Sequence, residues 1–456
     1  MCIRNICLIR SLVPVVMRFP RLFASTSVLA VMLSVGSSLH GSATAEARLT
    51  VADSLKRRDP IARLQQLLDS GKITLEHDTT TGYLTGLLRA LKIPVSSQGL
   101  VFSRTSLQTD LISPWSPRAL YFNDDVYVGF VQGSEFLEIA TVSPTDGAVF
   151  YTLDQEPRGR PVFKPDNTCL SCHRSRATAG LSAFLLGSTV TDKSGYYLTG
   201  VHAGQTSDAT PVRERFGGFY VTGTIAGGSH SGNVLSTKAF TEISERSSAG
   251  RDLDFRAQSQ RTTVVDKFNT SHYLTGHSDI VALMVLVHQA SVHNTIARVH
   301  EAATKALRED SVVSRYNKDT TFLQTRIVTS PRLRLGVEQL VRELLFVGEA
   351  PLDGPMKGTT SFVRDFAAIG PRDTKGRSLR DFDLHTRLFK YPLSFLIYSE
   401  GFSAMPEVAR RAVYARLRAI LNESDTTIDF AGISGPDRAA VLEILRETMP
   451  EFNRPQ

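Results

Sequence analysis

Residues 119–154 read ALYFNDDVYVGFVQGSEFLEIATVSPTDGAVFYTLD, and this stretch decides the fold. Ala119-Leu120-Tyr121-Phe122 gives way to Asn123-Asp124-Asp125, and Val126-Tyr127-Val128-Gly129-Phe130-Val131 to Gln132-Gly133-Ser134. Phe136 to Ala140 and Ala148 to Leu153 repeat the alternation. Short runs rich in aromatic and β-branched residues, separated by turn formers, predict successive strands.

Working outward, Leu100-Val101-Phe102-Ser103 extends the strand-like region toward the N-terminus. Before it, Asp59-Pro60 predicts a helix start, with Asp as cap and Pro in the first turn. Ile61, Leu64, Leu67 and Leu68 supply its apolar face and Gly71 its stop. Tyr83 to Lys92 predicts a second short helix.

On the C-terminal side a Gly/Ser/Thr-rich stretch runs to about residue 237. Tyr197-Leu198-Thr199-Gly200, Tyr220-Val221-Thr222-Gly223 and Tyr273-Leu274-Thr275-Gly276 read as short strands or turns. Helical spacing then dominates. Ser278 to about Glu309 predicts a long helix, with Ser278 as cap and Asp279 in its first turn. Val337 to Val347, Pro406 to Leu421 and Pro436 to Thr448 predict further helices. The expected fold class is α+β: a β-rich N-terminal part and a mainly α-helical remainder. The expected division is 1–45 as an export signal, 46–165 as the β-rich region and 166–456 as the helical region. The last two are expected to pack as one unit.

Hydrophobic residues make up 42% of the 456 positions and charged ones 21%, a balance that excludes a largely disordered or fibrous chain. The N-terminus carries Arg4, Arg10, Arg18 and Arg21, then an apolar run from Leu22 to Leu39, then Ala43-Thr44-Ala45. That order is the signature of a secretory signal, with Met17 as a second candidate start. Cleavage after Ala45 takes the formal charge from +7 to +3 over 411 residues. No nucleic-acid partner follows from so small a charge. No later run of 18 apolar residues occurs, so no permanent membrane span is expected.

Beyond the signal only two of the four cysteines remain, and both lie in Cys169-Leu170-Ser171-Cys172-His173. This is the spacing of c-type haem attachment. Cys169 and Cys172 are placed for thioether bonds to a single haem c, and His173 for the proximal iron position. The competing readings are a dithiol redox pair and a partial zinc site. A thioredoxin-like pair belongs between a strand and a helix in a βαβ pattern, and structural zinc needs a second ligand pair.

The residue opposite His173 separates catalysis from electron transfer. A firmly bound His or Met favours a carrier, whereas an open position admits peroxide or oxygen. The candidates for the distal metal position are His230, His277, Met284, His288 and Met356. His230 lies in a glycine-rich stretch, Thr224 to Asn233, and is the candidate distal acid–base residue. His277, Val281, Met284 and His288 share a helix face. Met356 stands in Asp353-Gly354-Pro355-Met356. Arg174 and Arg176, beside the motif, are candidates to bind a propionate or to stabilise a developing anion. No Gly-x-Gly-x-x-Gly, P-loop or Gly-x-Ser-x-Gly pattern points to a nucleotide or hydrolase site.

The haem motif resembles that of the c-type cytochromes. Longer segments are similar to a group of large secreted bacterial monohaem proteins without an assigned reaction. Those segments are Tyr121 to Gly129, Phe219 to Thr224, His277 to Met284, Asp381 to Leu384, Tyr391-Pro392 and Ile397 to Ser399. The resemblance implies haem c and secretion and carries no catalytic residue with it. The secreted di-haem peroxidases need two haems, and a single motif does not supply their internal relay.

The resulting expectation is a periplasmic haem c oxidoreductase, peroxidase- or oxygenase-like. Its substrate would be peroxide, oxygen or a small oxidisable molecule, and its partner a redox protein or small reductant. The alternative is a monohaem electron-transfer protein with a large docking module.

Overall fold

A seven-stranded antiparallel sheet forms the centre of the N-terminal half. The computed structural model describes residues 59–143, 146–175, 178, 180–198, 204–236, 255–313, 330–423 and 428–454. The export-signal expectation, Arg176 and the Thr199-Gly200 pair lie outside them. The described residues belong to one compact unit.

Two helices precede the sheet. In α1 (Pro60–Asp69) the Asp59 carboxylate accepts the Ile61 N–H at 2.8 Å, and Gly71, at φ +67°, stops the chain. Ile61, Leu64 and Leu68 are buried, spaced to face one side. Leu67 differs from expectation: it is 39% exposed, at the margin of that face. A shorter helix, α2 (Leu84–Ala90), follows.

The strands are β1 (Gly99–Val101), β2 (Arg118–Phe122), β3 (Val126–Phe130), β4 (Phe136–Ser143), β5 (Gly147–Asp154) and β6 (Phe163–Pro165). Their spatial order is β6-β5-β4-β3-β2-β1, and the edge beyond β1 is taken by β9 (Phe219–Tyr220). The sheet is thus completed by a strand from beyond the cysteine motif. Between β6 and β9 lie β7 (Gly187–Ser188) and β8 (Gly204–Gln205), which pair with each other. After β9, β10 (Thr224–Ile225) pairs with β11 (Met356–Lys357).

Alternation along each strand assigns the two faces. One carries Tyr121, Val128, Phe130, Leu137, Ile139 and Leu153, packed against the leucines of α1 and α2. On the other, register aligns Phe122, Tyr127, Ala140 and Phe150 in one row, and Leu120, Gly129, Glu138 and Thr152 in the next. This second face receives the cysteine motif and the longest helix.

The helices dominate the C-terminal half: α4 (Ile280–Val313), α5 (Pro331–Leu344), α6 (Phe362–Ala367), α7 (Glu400–Ser403), α8 (Glu407–Leu421) and α9 (Gly435–Thr448). A single turn, α3 (Leu170–His173), holds the motif. Asp279, not Ser278, caps α4: its carboxylate accepts the Val281 N–H at 2.9 Å and its carbonyl the Leu283 N–H. Ser278 Oγ instead accepts the Leu100 N–H and ties the helix start to β1.

Residues 280–309 are long and apolar enough to cross a membrane by length and composition, yet 89% of their most apolar window is buried within the protein. Sheet strand β5 and helices α5 to α8 pack around α4. Its apolarity is therefore that of a core helix surrounded by protein. The polar run Asp381 to Arg387 is an anchored loop. Asp383 accepts the His385 and Thr386 N–H groups, and Arg387 grips Asp437 with two bonds.

Candidate functional site

The motif begins on a capped turn. Asp166 accepts the Thr168 N–H at 2.9 Å, which starts a 3₁₀ turn over Asn167–Cys169 that runs directly into α3. Residues three apart on helical turns share a face, so Cys169 and Cys172 are presented together. Both are free thiols, Cys172 exposed and Cys169 partly covered. Burial, then the charges of Asp166 and Glu138, push the Cys169 thiol up to about 11.

His173 is held from behind. Its Nδ1 lies 2.8 Å from the Ala183 carbonyl oxygen. A carbonyl only accepts, so Nδ1 carries the proton and Nε2 keeps its lone pair for a metal. The Ala183 N–H returns a bond to the His173 carbonyl at 3.0 Å. The Phe150 ring packs against the imidazole at 4.5 Å between centroids. Burial lowers the His173 pKa, against the opposing effect of the Ala183 bond, and so favours the neutral ring that a metal ligand requires.

The next layer fixes Ala183 itself. Asn294, on α4, accepts the Phe184 N–H through Oδ1 and donates Nδ2–H to the Phe184 carbonyl, both at 2.8 Å. A single side chain thus clamps both backbone groups of the residue after Ala183. This is the support that ligating histidines commonly have. Sequence reading missed Asn294. The available signal was a carboxamide inside an apolar helix, where burial demands partners.

Glu138 on β4 stands beside the motif. Its Oε2 accepts from Arg118 Nη1 at 2.9 Å, and its Oε1 accepts from Ser106 Oγ at 3.3 Å. The charges of Glu138 and Arg118 both act on His173.

Of the other candidates only Arg174 adjoins the motif among the described residues. Arg174 is exposed, next to the motif. His230 is fully buried near the β9 edge: its Nδ1 accepts the Gly232 N–H, and Phe216 lies 6.2 Å away. Burial lowers its pKa to about 4. Five strand steps separate β9 from β5, where His173 packs. At ~4.8 Å per step this is about 24 Å, so His230 and His173 are not brought together.

Met284 and His288 belong to a separate buried network. The Met284 sulfur accepts from Arg215 Nη1 at 3.2 Å. His288 Nδ1 meets Asp208 at 2.7 Å, its Nε2 meets Ser394 Oγ at 2.7 Å, and Phe346 stacks on its ring at 4.4 Å. The bonds follow the order of a hydrolase triad, but His288 and Ser394 have no exposed surface. Ser394 Oγ also accepts the Leu396 N–H and starts a 3₁₀ turn. Met284 is ten residues from Asn294 on the same helix, about 15 Å at 1.5 Å per residue. Met356 is a core residue in β11. His277, just before α4, gives its carbonyl to Gln98. His293 is buried with Nδ1 on the Tyr127 hydroxyl at 2.9 Å, and burial, with the His288 charge, lowers its pKa to about 3.

Among the described residues, no three His, Cys, Asp or Glu side chains converge to hold a metal ion. Cys169, Cys172 and His173 therefore do not form the shared corner of a tetrahedral zinc site. Thioether attachment requires no such convergence, since the sulfurs bond to the porphyrin edge and the imidazole to its centre. The donor set fits haem c. No family model, curated protein or solved structure matches this chain.

Proposed function

We propose that this chain is an exported haem c protein of the periplasm and that it works as an oxidoreductase on peroxide, oxygen or a small oxidisable substrate. One observation carries the reading. His173 has its Nδ1 committed to the Ala183 carbonyl and its Nε2 left for a ligand, one residue after Cys172 and four after Cys169, both free of disulfides. A haem c held there supplies one-electron chemistry and an exchangeable coordination position.

The chain's own residues do the rest. Ala183 orients the imidazole, and Asn294 holds Ala183 in place through Phe184. Phe150 limits rotation of the ring. Arg118 and Glu138 bring a charge pair to the site, with Arg118 able to face a propionate. The locations of four of the five candidate sixth ligands support an exchangeable position. His230, Met284, His288 and Met356 are each packed into other parts of the core, whereas His277 is half-buried just before α4.

Electron transfer is the second reading, favoured by the exposure of Ser171 and Cys172 at the surface. A redox partner can approach an exposed haem edge directly.

The test is expression with an intact cytochrome c assembly system, followed by mass spectrometry and optical and electron paramagnetic resonance spectra of both oxidation states. One covalently attached haem with a high-spin or ligand-exchangeable iron is expected. A chain that matures without covalent haem overturns the whole reading. A stable low-spin iron that reacts with neither peroxide nor carbon monoxide overturns the oxidoreductase and leaves the carrier.

A further inference from the structure

The loop between β1 and β2 holds a side chain that the fold leaves unexplained. Gln108 is 7% exposed, yet its Oε1 and Nε2 both lack a hydrogen-bond partner. Leaving buried polar groups unpaired is costly, and native chains seldom do so without a reason. Single unpartnered atoms occur on other buried side chains, including Arg118 Nε, His230 Nε2 and His293 Nε2. Among the described residues Gln108 is the one with a donor and an acceptor both unmet.

Its loop is fastened to β4 at Glu138, whose charge reaches the motif. Ser106 Oγ accepts the Gln108 N–H at 3.1 Å and donates to Glu138 Oε1 at 3.3 Å. The same carboxylate binds Arg118 and acts on both Cys169 and His173. The loop and the haem motif therefore share one charged group.

The loop also exposes apolar surface. Leu107, Leu111 and Trp115 are 49%, 42% and 63% exposed. Tyr196, held by Arg104 at the start of the loop, is 49% exposed. Exposed apolar side chains on the same loop as a buried, unpaired amide offer surface to a flat apolar ligand with a polar centre.

Resting on the haem c reading above, we propose that residues 104–115 line the exposed face of the haem and that Gln108 hydrogen-bonds a small ligand on the iron's open side. An amide donates and accepts without titrating near neutral pH. It stabilises a bound diatomic or peroxide-like ligand by hydrogen bonding and is no proton source. Any proton needed in turnover enters from solvent or from the substrate.

The experiment uses the full haem-loaded protein, with haem content read by mass before any ligand is added. Cyanide affinity of the ferric form and the C–O stretch of the ferrous carbon monoxide adduct are then measured. Gln108→Leu is expected to retain its haem, to lose about tenfold in cyanide affinity, the worth of one hydrogen bond, and to shift the C–O stretch. Gln108→Glu keeps the volume, exchanges the donor for a carboxylate and is expected to bind cyanide more weakly still. It also stands in if the leucine variant does not fold. The inference is overturned if the loaded wild type binds neither probe, or if affinity and stretch are unchanged in the variants that fold. Lack of haem in the wild type is a separate result, visible before any titration, and removes the haem c reading itself.

Discussion

The network around His288 and the surroundings of His173 are both polar and both centred on a histidine, but they differ in completeness. Around His288 the partners are all protein. Asp208 and Ser394 take the two ring nitrogens, and Arg215 donates to the carbonyls of Asp208 and Thr210 and to the Met284 sulfur. Around His173 one ring nitrogen is bonded to a backbone carbonyl, the two thiols form no disulfide, and Gln108 on a nearby loop has neither amide atom matched. A satisfied buried network specifies packing, whereas unmatched groups call for an explanation, which the proposed haem would supply here. The two regions should therefore respond oppositely to mutation.

The largest contrast is expected from the motif. Cys169→Ala with Cys172→Ala removes all covalently attached haem, read as a loss of haem mass and of absorbance in the denatured chain. If the described fold stands without haem, far-ultraviolet circular dichroism stays at the wild-type value. Full haem retention in the double variant would place attachment elsewhere.

Arg215→Ala tests the other side. Arg215 is fully buried, and burial lowers its pKa. Removing it strands two carbonyls and leaves a void, at a cost of about 3–5 kcal/mol in denaturant unfolding. The fraction that folds should keep the wild-type haem spectrum. A spectrum altered as much as the stability would erase the distinction between the regions.

Asn294→Ala sharpens the boundary between them, since Asn294 sits on the same core helix but serves the motif. Losing two bonds to Phe184 is expected to cost about 1–3 kcal/mol. It should also shift the midpoint potential, because a loosened Ala183 carbonyl weakens its hold on His173. Loss of stability with an unchanged potential would make Asn294 a packing residue alone.

The smallest effect is a pH dependence within the satisfied network. Burial, with Asp208 nearby, pushes Glu349 up to about 7. A carboxyl raised in the folded state binds its proton more tightly there than when unfolded, so its contribution to stability is lost as pH rises from about 4.5 to about 7. Glu349→Gln keeps the acceptor for the Leu388 N–H and removes that loss. It should stabilise the protein at pH 8 by roughly 1–3 kcal/mol and hardly at all at pH 4. An equal shift in thermal midpoint at both pH values would contradict this assignment.

Much of the fold was legible in advance. β2 to β5 fall within a residue or a few of the expected runs, because their alternation is local and the turn formers between them are strong. α1, α8 and α9 carry Pro or Ser/Asp start signals and were located as well. The boundary between the β-rich and helical parts was less legible. β9 joins the sheet from residue 219, and nothing in a two-residue strand announces its distant partner β1. The cap of α4 was displaced by one residue, since Ser278 is drawn to the Leu100 N–H by a contact 178 residues away.

For the proposed site, the placement of Cys169, Cys172 and His173 on adjoining turns was readable because the motif is contiguous. The second layer was not. His288 and Met284 share a helix face with the expected spacing, but that spacing does not reveal that Asp208, Ser394 and Arg215 arrive from other segments to occupy them. Asn294 looked like one polar residue in an apolar helix until the Phe184 backbone was found against it.

By itself, then, the sequence determined the α+β class, much of the succession of strands and helices, and the contiguous trio on which the proposed haem site rests. Those depend on periodicity, turn chemistry and contiguous spacing, all of which are local. Tertiary structure alone decided which histidines are already spoken for, which carbonyl orients His173, and where a buried amide stands unmatched. Those depend on groups far apart in the chain meeting out of water, where each unpaired donor or acceptor carries a cost that only the folded neighbourhood reveals.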